Sequence, residues 1–299
     1  MIKNEGKTFR RIVCASDQDW LDVRTDGIGG SDVAAIMGLS PWKSPLEVWM
    51  EKTKRTDMPD ISYKESVRMG TELELDVLDM YKRRHPRSYP RRVNAILESI
   101  ERPWARASLD GTCYDEQLGT GVLEIKTGSR ESEWKDGVPL HYQTQVLHYL
   151  SVTGYPFADV AALIGDYGLH YHEYRIMRDE GDIEAVNEDV DRFWQDYVLA
   201  DQLPPTITAL PSEGKAIYEL YKHADGEMEP SEAVETEELA FELEDVLKQL
   251  KELNETKTSL SNELKRLVNE HKGIITHDHV ITWSRTEKRD MGIRLKRRD

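Results

Sequence analysis

Up to Pro90 the chain sets its apolar residues three and four positions apart, the spacing of one helix face, with short polar turns between the runs. Ser16 is placed to cap a helix in SDQDWLDVR. Ser31 or Asp32, just after Gly29 and Gly30, is placed to cap a short one in DVAAIMG. Pro45 suits the first turn of a third, LEVWMEKT. Met69, Leu73, Val77, Leu78 and Tyr81 form the stripe of a longer helix over 66–84. Beyond Pro90 the period shortens. RVNAILESI, WARASLDGTCY and GVLEIKTG are short, rich in apolar and β-branched residues, and bounded by Pro, Gly and Asp, which predicts antiparallel strands. HYQTQVLHYLSVTG returns to helical spacing, DVAALIG and LHYHEYRIM read as two more strands, and a helix over 182–199 stops at Pro204 and Pro205.

Helices and strands interleaved in this order predict an α/β or α+β fold over 1–205, a mixed sheet flanked by helices. The remaining 206–299 have a different character. Leu239, Leu243, Val246, Leu250, Leu253, Leu260, Leu264 and Leu267 keep a 4-3 spacing broken only at Lys257, which predicts one long amphipathic helix. Spacing does not decide whether that helix pairs with a second one or folds back on the chain. After Gly273, IITHDHVITWSRTEK alternates like a hairpin.

Composition narrows the function classes. The 299 residues carry a formal net charge of -16, with 38% hydrophobic and 32% charged residues. Such a chain does not coat nucleic acid or anionic membrane indiscriminately. The charge is uneven, however. Residues 224–247 hold ten acids and no Lys or Arg, 80–92 hold six Lys/Arg and no acid, and 285–299 hold seven Lys/Arg against three acids. Two cysteines, Cys14 and Cys113, cannot build a four-cysteine metal site. No apolar secretory segment or membrane-length run is present, so the expectation is a cytoplasmic protein with free thiols and no membrane association.

The chemistry concentrates in Ser108-Leu109-Asp110-Gly111 and Leu123-Glu124-Ile125-Lys126. Asp110 falls where one strand gives way to the next. Glu124 and Lys126 are two apart and so share a strand face. If the strands are neighbours, two carboxylates and an ammonium converge. Like charges held together favour a divalent cation between them, and hard oxygen ligands suit Mg²⁺ or Mn²⁺. A lysine there can orient or help deprotonate a water and stabilise developing negative charge. That is equipment for phosphodiester hydrolysis. The competing reading is a solvated strand with charged alternation; the apolar Val122, Leu123 and Ile125 favour a site at the edge of a buried sheet.

Asp110 with Glu124-Ile125-Lys126 resembles the PD-(D/E)xK nuclease signature, with Ser108-Leu109-Asp110 in place of Pro-Asp. RTDGIGGS from Arg24 to Ser31, followed by DVAAIMG, resembles the N-terminal motif of the YqaJ-type viral recombinase family, to which phage lambda exonuclease is related. MGTE ending at Glu72 and YQTQ from Tyr142 to Gln145 resemble two further family helices, and the likeness runs in order over 17–199. It implies a PD-(D/E)xK restriction-endonuclease-like core. It also implies a Mg²⁺-dependent (or Mn²⁺-dependent) 5′-to-3′ exonuclease of a phage or prophage recombination system, acting on double-stranded DNA ends in a bacterial host and leaving 3′ single strands. By the same resemblance Glu72, Asp110, Glu124 and the Ile125 carbonyl would bind the metal, Lys126 would assist the attacking water, Gln145 would place Lys126 or the water, and Tyr142 would line the site. Arg24, Ser31 and Ser108 would hold the DNA 5′-phosphate. Arg83, Arg84, Arg87, Arg91 and Arg92 would track the DNA backbone. A homo-oligomer, a trimer by family analogy, and a single-strand annealing protein are the implied protein partners.

Blander readings stand beside these. Glu72 lies among acids, Arg24 and Ser31 suit a helix-end pair and cap, and His141 and His148 lack companions for a zinc site. Trp20, Trp42, Trp49, Trp104 and Trp194 are expected in the core rather than as base-stacking platforms. The alternative functions are an endonuclease on the same core, and a non-catalytic DNA-end-binding scaffold acting through the acidic helix.

Overall fold

The computed structural model describes residues 2–4, 8–56, 64–165, 167–207, 209–228, 230–231, 233–286 and 288–298. The chain forms two compact units, Met1–Ala224 and Asp225–Asp299. In order, the first contains β1 (Ile2–Asn4), β2 (Phe9–Ile12), α1 (Asp17–Thr25), α2 (Gly30–Ile36), α3 (Pro45–Lys52), α4 (Glu65–Arg84), β3 (Arg91–Arg92), β4 (Ile96–Ser99), β5 (Arg106–Ala107), β6 (Gly111–Asp115), β7 (Gly119–Gly128), α5 (Leu140–Thr153), β8 (Phe157–Gly165), β9 (Leu169–Met177), α6 (Glu180–Arg192) and α7 (Pro211–Tyr221). A π-helical turn, Phe193–Leu199, continues α6.

Five strands make the central sheet in the order β3-β6-β7-β8-β9. The pairs β6–β7 and β8–β9 are antiparallel, whereas β7–β8 is parallel. The parallel pair follows from the connection: a crossover through α5 brings the chain back to the same edge before β8 begins. The sheet is therefore mixed. α4 covers one face, with Val77, Leu78 and Tyr81 packed in one cluster with Leu123, Ile125, Phe157 and Leu163. α5 covers the other, with Val146 and Leu150 clustered with Val122, Ala158, Val160 and Ala162. Burial on both faces explains why β8 reads as a continuous apolar run rather than an alternation. Each fully buried large side chain contributes about 1.5–3 kcal/mol.

WARASLDGTCY, expected as one strand, is two. Its first part, β5, pairs with β4 in a separate antiparallel sheet ordered β1-β2-β4-β5, and its second, β6, pairs with β3 and β7. Asp110 sits in the break between them. Ser16 caps α1 by accepting from the Asp19 N–H at 3.1 Å. The α2 cap is Gly29, not Ser31 or Asp32. Asp32 instead accepts from the Gly29 N–H at 3.1 Å, which places Ser31 in the first turn with its hydroxyl free for another partner.

The first unit runs past the expected boundary at 205. α7 adds Ala216 to the apolar cluster of Ile28, Val33, Trp49, Val186 and Phe193, and Ser212 donates to Glu47 at 2.8 Å. In the second unit α8 (Val234–Val268) is a single helix of 35 residues, followed by β10 (Gly273–Ile275), β11 (His279–Thr286) and β12 (Arg289–Arg297). These make a three-stranded antiparallel sheet, one strand more than the expected hairpin. Glu229, Glu232, Glu287 and Asp299 of the charged segments lie outside the described residues. Among the described residues no helix is long and apolar enough to cross a membrane.

Candidate active site

β7 and α5 assemble the chemical groups. Glu124 and Lys126 project together from β7, and Lys126 Nζ lies 2.6 Å from Glu124 Oε1. Asp110 reaches the same place from the β5–β6 break, where its Oδ2 accepts from the Ile125 N–H at 2.7 Å. On α5, Tyr142, Gln145 and Tyr149 share one face at three- and four-residue spacing. Gln145 Nε2 donates to Glu124 Oε1 at 2.8 Å and to the Tyr149 hydroxyl at 2.9 Å, while its Oε1 accepts from Lys126 at 3.1 Å. The Tyr142 ring lies under the ammonium, 4.7 Å from Nζ. The structure thus brings together Asp110, Glu124, Lys126, Tyr142 and Gln145.

The electrostatics favour an added cation. Burial, and then the Glu124 charge, push the Asp110 carboxyl up to about 8 against the pull of Lys126 and the Ile125 N–H. Burial also raises Glu124, against the pull of Lys126. Burial would lower Lys126, but Glu124 and Asp110 outweigh it, and the ammonium is held protonated. Glu124 Oε2 is buried with no hydrogen-bond partner among the described residues. A buried carboxylate oxygen without a donor is costly, and a cation bound there would satisfy it. Oxygen donors of this kind fit Mg²⁺ or Mn²⁺. No group of three His, Cys, Asp or Glu that could hold a metal ion is assembled among the described residues.

The third acid needs correction. Glu72 is exposed on α4 and faces Arg68 at 3.7 Å. The stripe of α4 that meets the sheet runs through Gly70, Glu74, Val77, Leu78 and Tyr81. A Cβ at Gly70 would approach Thr127 of β7 to 3.2 Å, and Val77, Leu78 and Tyr81 are buried. Two positions from Gly70 is about half a turn of a helix of 3.6 residues per turn, and four positions is just over a full turn, so Glu72 turns away and Glu74 turns in. The charge of Glu74 raises both Asp110 and Glu124, and its carboxylate pairs with Arg92 at 2.9 Å. Helix phase was the available signal, because Glu74 lies four residues from Gly70 and three from Val77.

A cavity of about 220 Å³ adjoins these groups and is lined by Trp20, Arg24, Ser31, Arg106, Ser108 and Tyr149, among others. Arg24, Ser31 and Ser108, named from sequence, therefore share one pocket. Arg24 donates to the Ser31 hydroxyl at 2.8 Å and lies over Trp20, 5.1 Å from the ring centroid. Tyr149 belongs to both places: it lines the cavity and is bonded to Gln145. Gly30 permits this arrangement. A Cβ there would lie 2.4 Å from the Tyr149 ring, so only glycine lets α2 approach α5 so closely.

Behind the pocket is a buried charge network that the motifs did not reveal. Asp32 is 2.7 Å from Lys52 Nζ and 3.3 Å from Lys43 Nζ, and Lys43 also meets Glu51 at 2.5 Å. Lys52 donates to the Arg24 carbonyl at 3.0 Å, which ties the network to the pocket arginine. Burial would raise Asp32, but Lys52, Lys43 and Arg24 outweigh it and hold it well below the usual carboxylate range.

Other expectations divide. Trp49 is in the core, whereas Trp42 is 62% exposed and stands edge-on against His141, with ring centroids 4.9 Å apart. Of the proposed DNA-tracking arginines, Arg83 pairs with Asp79 at 3.4 Å and Arg87 with Glu116 at 3.1 Å. Arg84 lies over Tyr171, 4.0 Å from the ring centroid. Arg91 and Arg92 form β3 beside Gly111, next to the carboxylates.

Residues 19–156 match the family model of the YqaJ-like viral recombinase domain. An uncharacterized protein YqaJ of Bacillus subtilis (strain 168) is 37% identical over 194 residues, which are 63% of this chain and 59% of that relative. The chain thus spans less than two thirds of the relative's length. Among solved structures, an alkaline exonuclease from Laribacter hongkongensis aligns with a TM-score of 0.48 at 22% identity, over 69% of this chain and 98% of that one. Its complex with dAMP aligns at 0.49 and 22% identity, over 69% and 97%. A phage related exonuclease from Haemophilus somnus 129PT aligns at 0.39 and 12% identity, over 61% and 98%. Asp110, in the β5–β6 break, and Glu124 and Lys126, on β7 of a mixed sheet flanked by helices, thus all fall within residues 19–156, the stretch that is similar to the YqaJ-like viral recombinase domain.

Proposed function

We propose that the chain is a divalent-metal-dependent exonuclease that degrades duplex DNA from a 5′-phosphorylated end. What carries the reading is the junction at Tyr149, where a pocket holding Arg24, Ser31 and Ser108 meets the cluster of Asp110, Glu124, Lys126 and Gln145. A guanidinium and two hydroxyls are good donors to a terminal phosphate. An endonuclease has no need of such a pocket, and a scaffold has no need of two destabilised carboxylates.

Asp110, Glu124, Glu74 and the Ile125 carbonyl would hold Mg²⁺ or Mn²⁺. When bound, the ion would neutralise these acids and act as a Lewis acid towards the scissile phosphate. Arg24 and Ser31 would fix the terminal phosphate and with it the register of cutting. Lys126, held protonated, would stabilise negative charge as water adds to phosphorus and the bond to the 3′ oxygen breaks. Gln145 would hold Lys126 and Glu124 in that arrangement, and Tyr142 would pack under the ammonium. Arg91 and Arg92 would bind backbone phosphate near the site. The products would be mononucleotides and a 3′ single strand, a substrate for an annealing protein.

The test is Arg24→Ala on two duplexes that differ only at the 5′ end. The reading expects a much larger loss on the phosphorylated end than on the hydroxyl end; equal losses would remove the anchor from the account.

A further inference from the structure

The chain is acidic as a whole, yet its C-terminal sheet is basic on the surface. Arg289, Arg294, Lys296 and Arg297 all lie on β12 and are exposed. Among the described residues no carboxylate pairs with any of them. This sets them apart from the basic segment of the first unit, where Arg83, Arg87 and Arg92 each have an acid partner. Asp290, the acid on the same strand, is engaged elsewhere: it accepts from Lys265 at 2.6 Å, Trp283 at 2.8 Å and the Gly292 N–H at 2.9 Å.

Register shows which way these cations face. Ile281 is buried, and Lys265 of α8 lies over the Trp283 ring, so residues 281 and 283 face α8. Their partners across the ladder are Leu295 and Ile293. The alternate residues Arg294 and Lys296 therefore project from the opposite face, with Thr282 and Val280 opposite them. At Val280, Thr282, Arg294 and Lys296 that face holds two cations on one strand, a hydroxyl and no acid, and Asp278 lies just beyond the strand end, where its carbonyl accepts from the Arg298 N–H. Unpaired cations on an exposed strand repel one another unless an anion lies across them.

We propose that the face of the C-terminal sheet turned away from α8, carried by Arg294 and Lys296, binds the phosphodiester backbone of DNA. The surface offers point charges and no base-reading groove, so it binds without sequence preference. It is distinct from the Arg24 pocket, because it recognises internal phosphates rather than an end.

The test is the full-length Arg294→Ala/Lys296→Ala variant. Its affinity is measured by fluorescence anisotropy on a covalently closed dumbbell duplex and on a circular single strand, in EDTA across a range of salt. Neither DNA has a 5′ end and nothing is cleaved, so the outcome is independent of the nuclease reading. The expected result is weaker binding to one or both, roughly tenfold at moderate salt, with a salt slope shallower by about 2. The thermal transition should be unchanged, and Arg294→Lys should keep the slope. Unaltered affinity and slope on both DNAs would overturn the proposal. So would loss of binding to phosphatidylserine vesicles with DNA binding intact, which would assign the face to a membrane surface instead.

Discussion

Lys126 Nζ and Glu124 Oε1 are 2.6 Å apart, two residues from each other on one strand, with Gln145 bonded to both side chains. Glu124 and Asp110 keep the ammonium charged, so the proposed role of Lys126 is that of a fixed cation rather than a proton acceptor. Lys126→Met should lower the single-turnover cleavage rate by about 10²–10⁴-fold while DNA binding holds. Glu124→Gln should abolish cleavage and leave metal-free stability equal or higher, because it removes a buried charge with an unpartnered oxygen. Stopped-flow cleavage and thermal melts of both variants check these outcomes.

Glu74 and Glu72 make a discriminating pair. Both are acids on α4, but only Glu74 faces the carboxylates. Glu74→Gln should cost most of the activity, and Glu72→Gln should stay within about twofold of the parent, as an exposed position away from the chemistry does. Mn²⁺ titration followed by calorimetry should show weakened binding for Glu74→Gln alone.

The support behind the pocket should be costly to disturb. Asp32→Ala strands Lys52, whose side chain is fully buried, and should destabilise the first unit by about 3–5 kcal/mol. Gly30→Ala drives a Cβ into the Tyr149 ring and should cost about 1–3 kcal/mol, with a lowered preference for 5′-phosphate as Ser31 shifts. Denaturant melts and end-preference assays measure the two effects.

Much of the site was legible because strand alternation is a strict period. Glu124 and Lys126 had to share a face, and turn residues placed Asp110 at the mouth of the next strand. The α4 acid was not legible from the motif, since MGTE is the same string whichever way the helix is turned; the burial of Val77 and Tyr81 sets the phase. The Asp32–Lys52 contact joins residues twenty positions apart through tertiary packing and leaves no periodic trace. Pro204 and Pro205 set the expected boundary at 205 and so put α7 in the C-terminal extension, yet Ala216 is buried in the core. Residue type places Trp42 inside, but it lies on the loop before α3, where His141 and Tyr142 meet it on one side and it stays 62% exposed.

Acid should weaken the fold through His148. This imidazole is buried with Nε2 3.0 Å from the Arg106 carbonyl. Burial holds its pKa down to about 4, with Arg102 adding to the effect and the Arg106 and Ile28 backbone opposing it. In the unfolded chain the same group titrates near 6.5. Between these values the unfolded state binds a proton that the folded state does not. Stability from this residue is therefore present above about 6.5 and is lost as pH falls towards 4, by about 3 kcal/mol in all. Chemical denaturation from pH 7 to pH 4 should show that slope, and His148→Gln should flatten it.

The most direct test of the account is Mg²⁺-dependent digestion of a 5′-phosphorylated linear duplex beside a covalently closed circle of the same sequence. The account predicts that the linear form is consumed to mononucleotides and the circle persists, with both intact in EDTA or with Glu124→Gln. Cleavage of the circle, or digestion of linear DNA that survives Glu124→Gln, would contradict it.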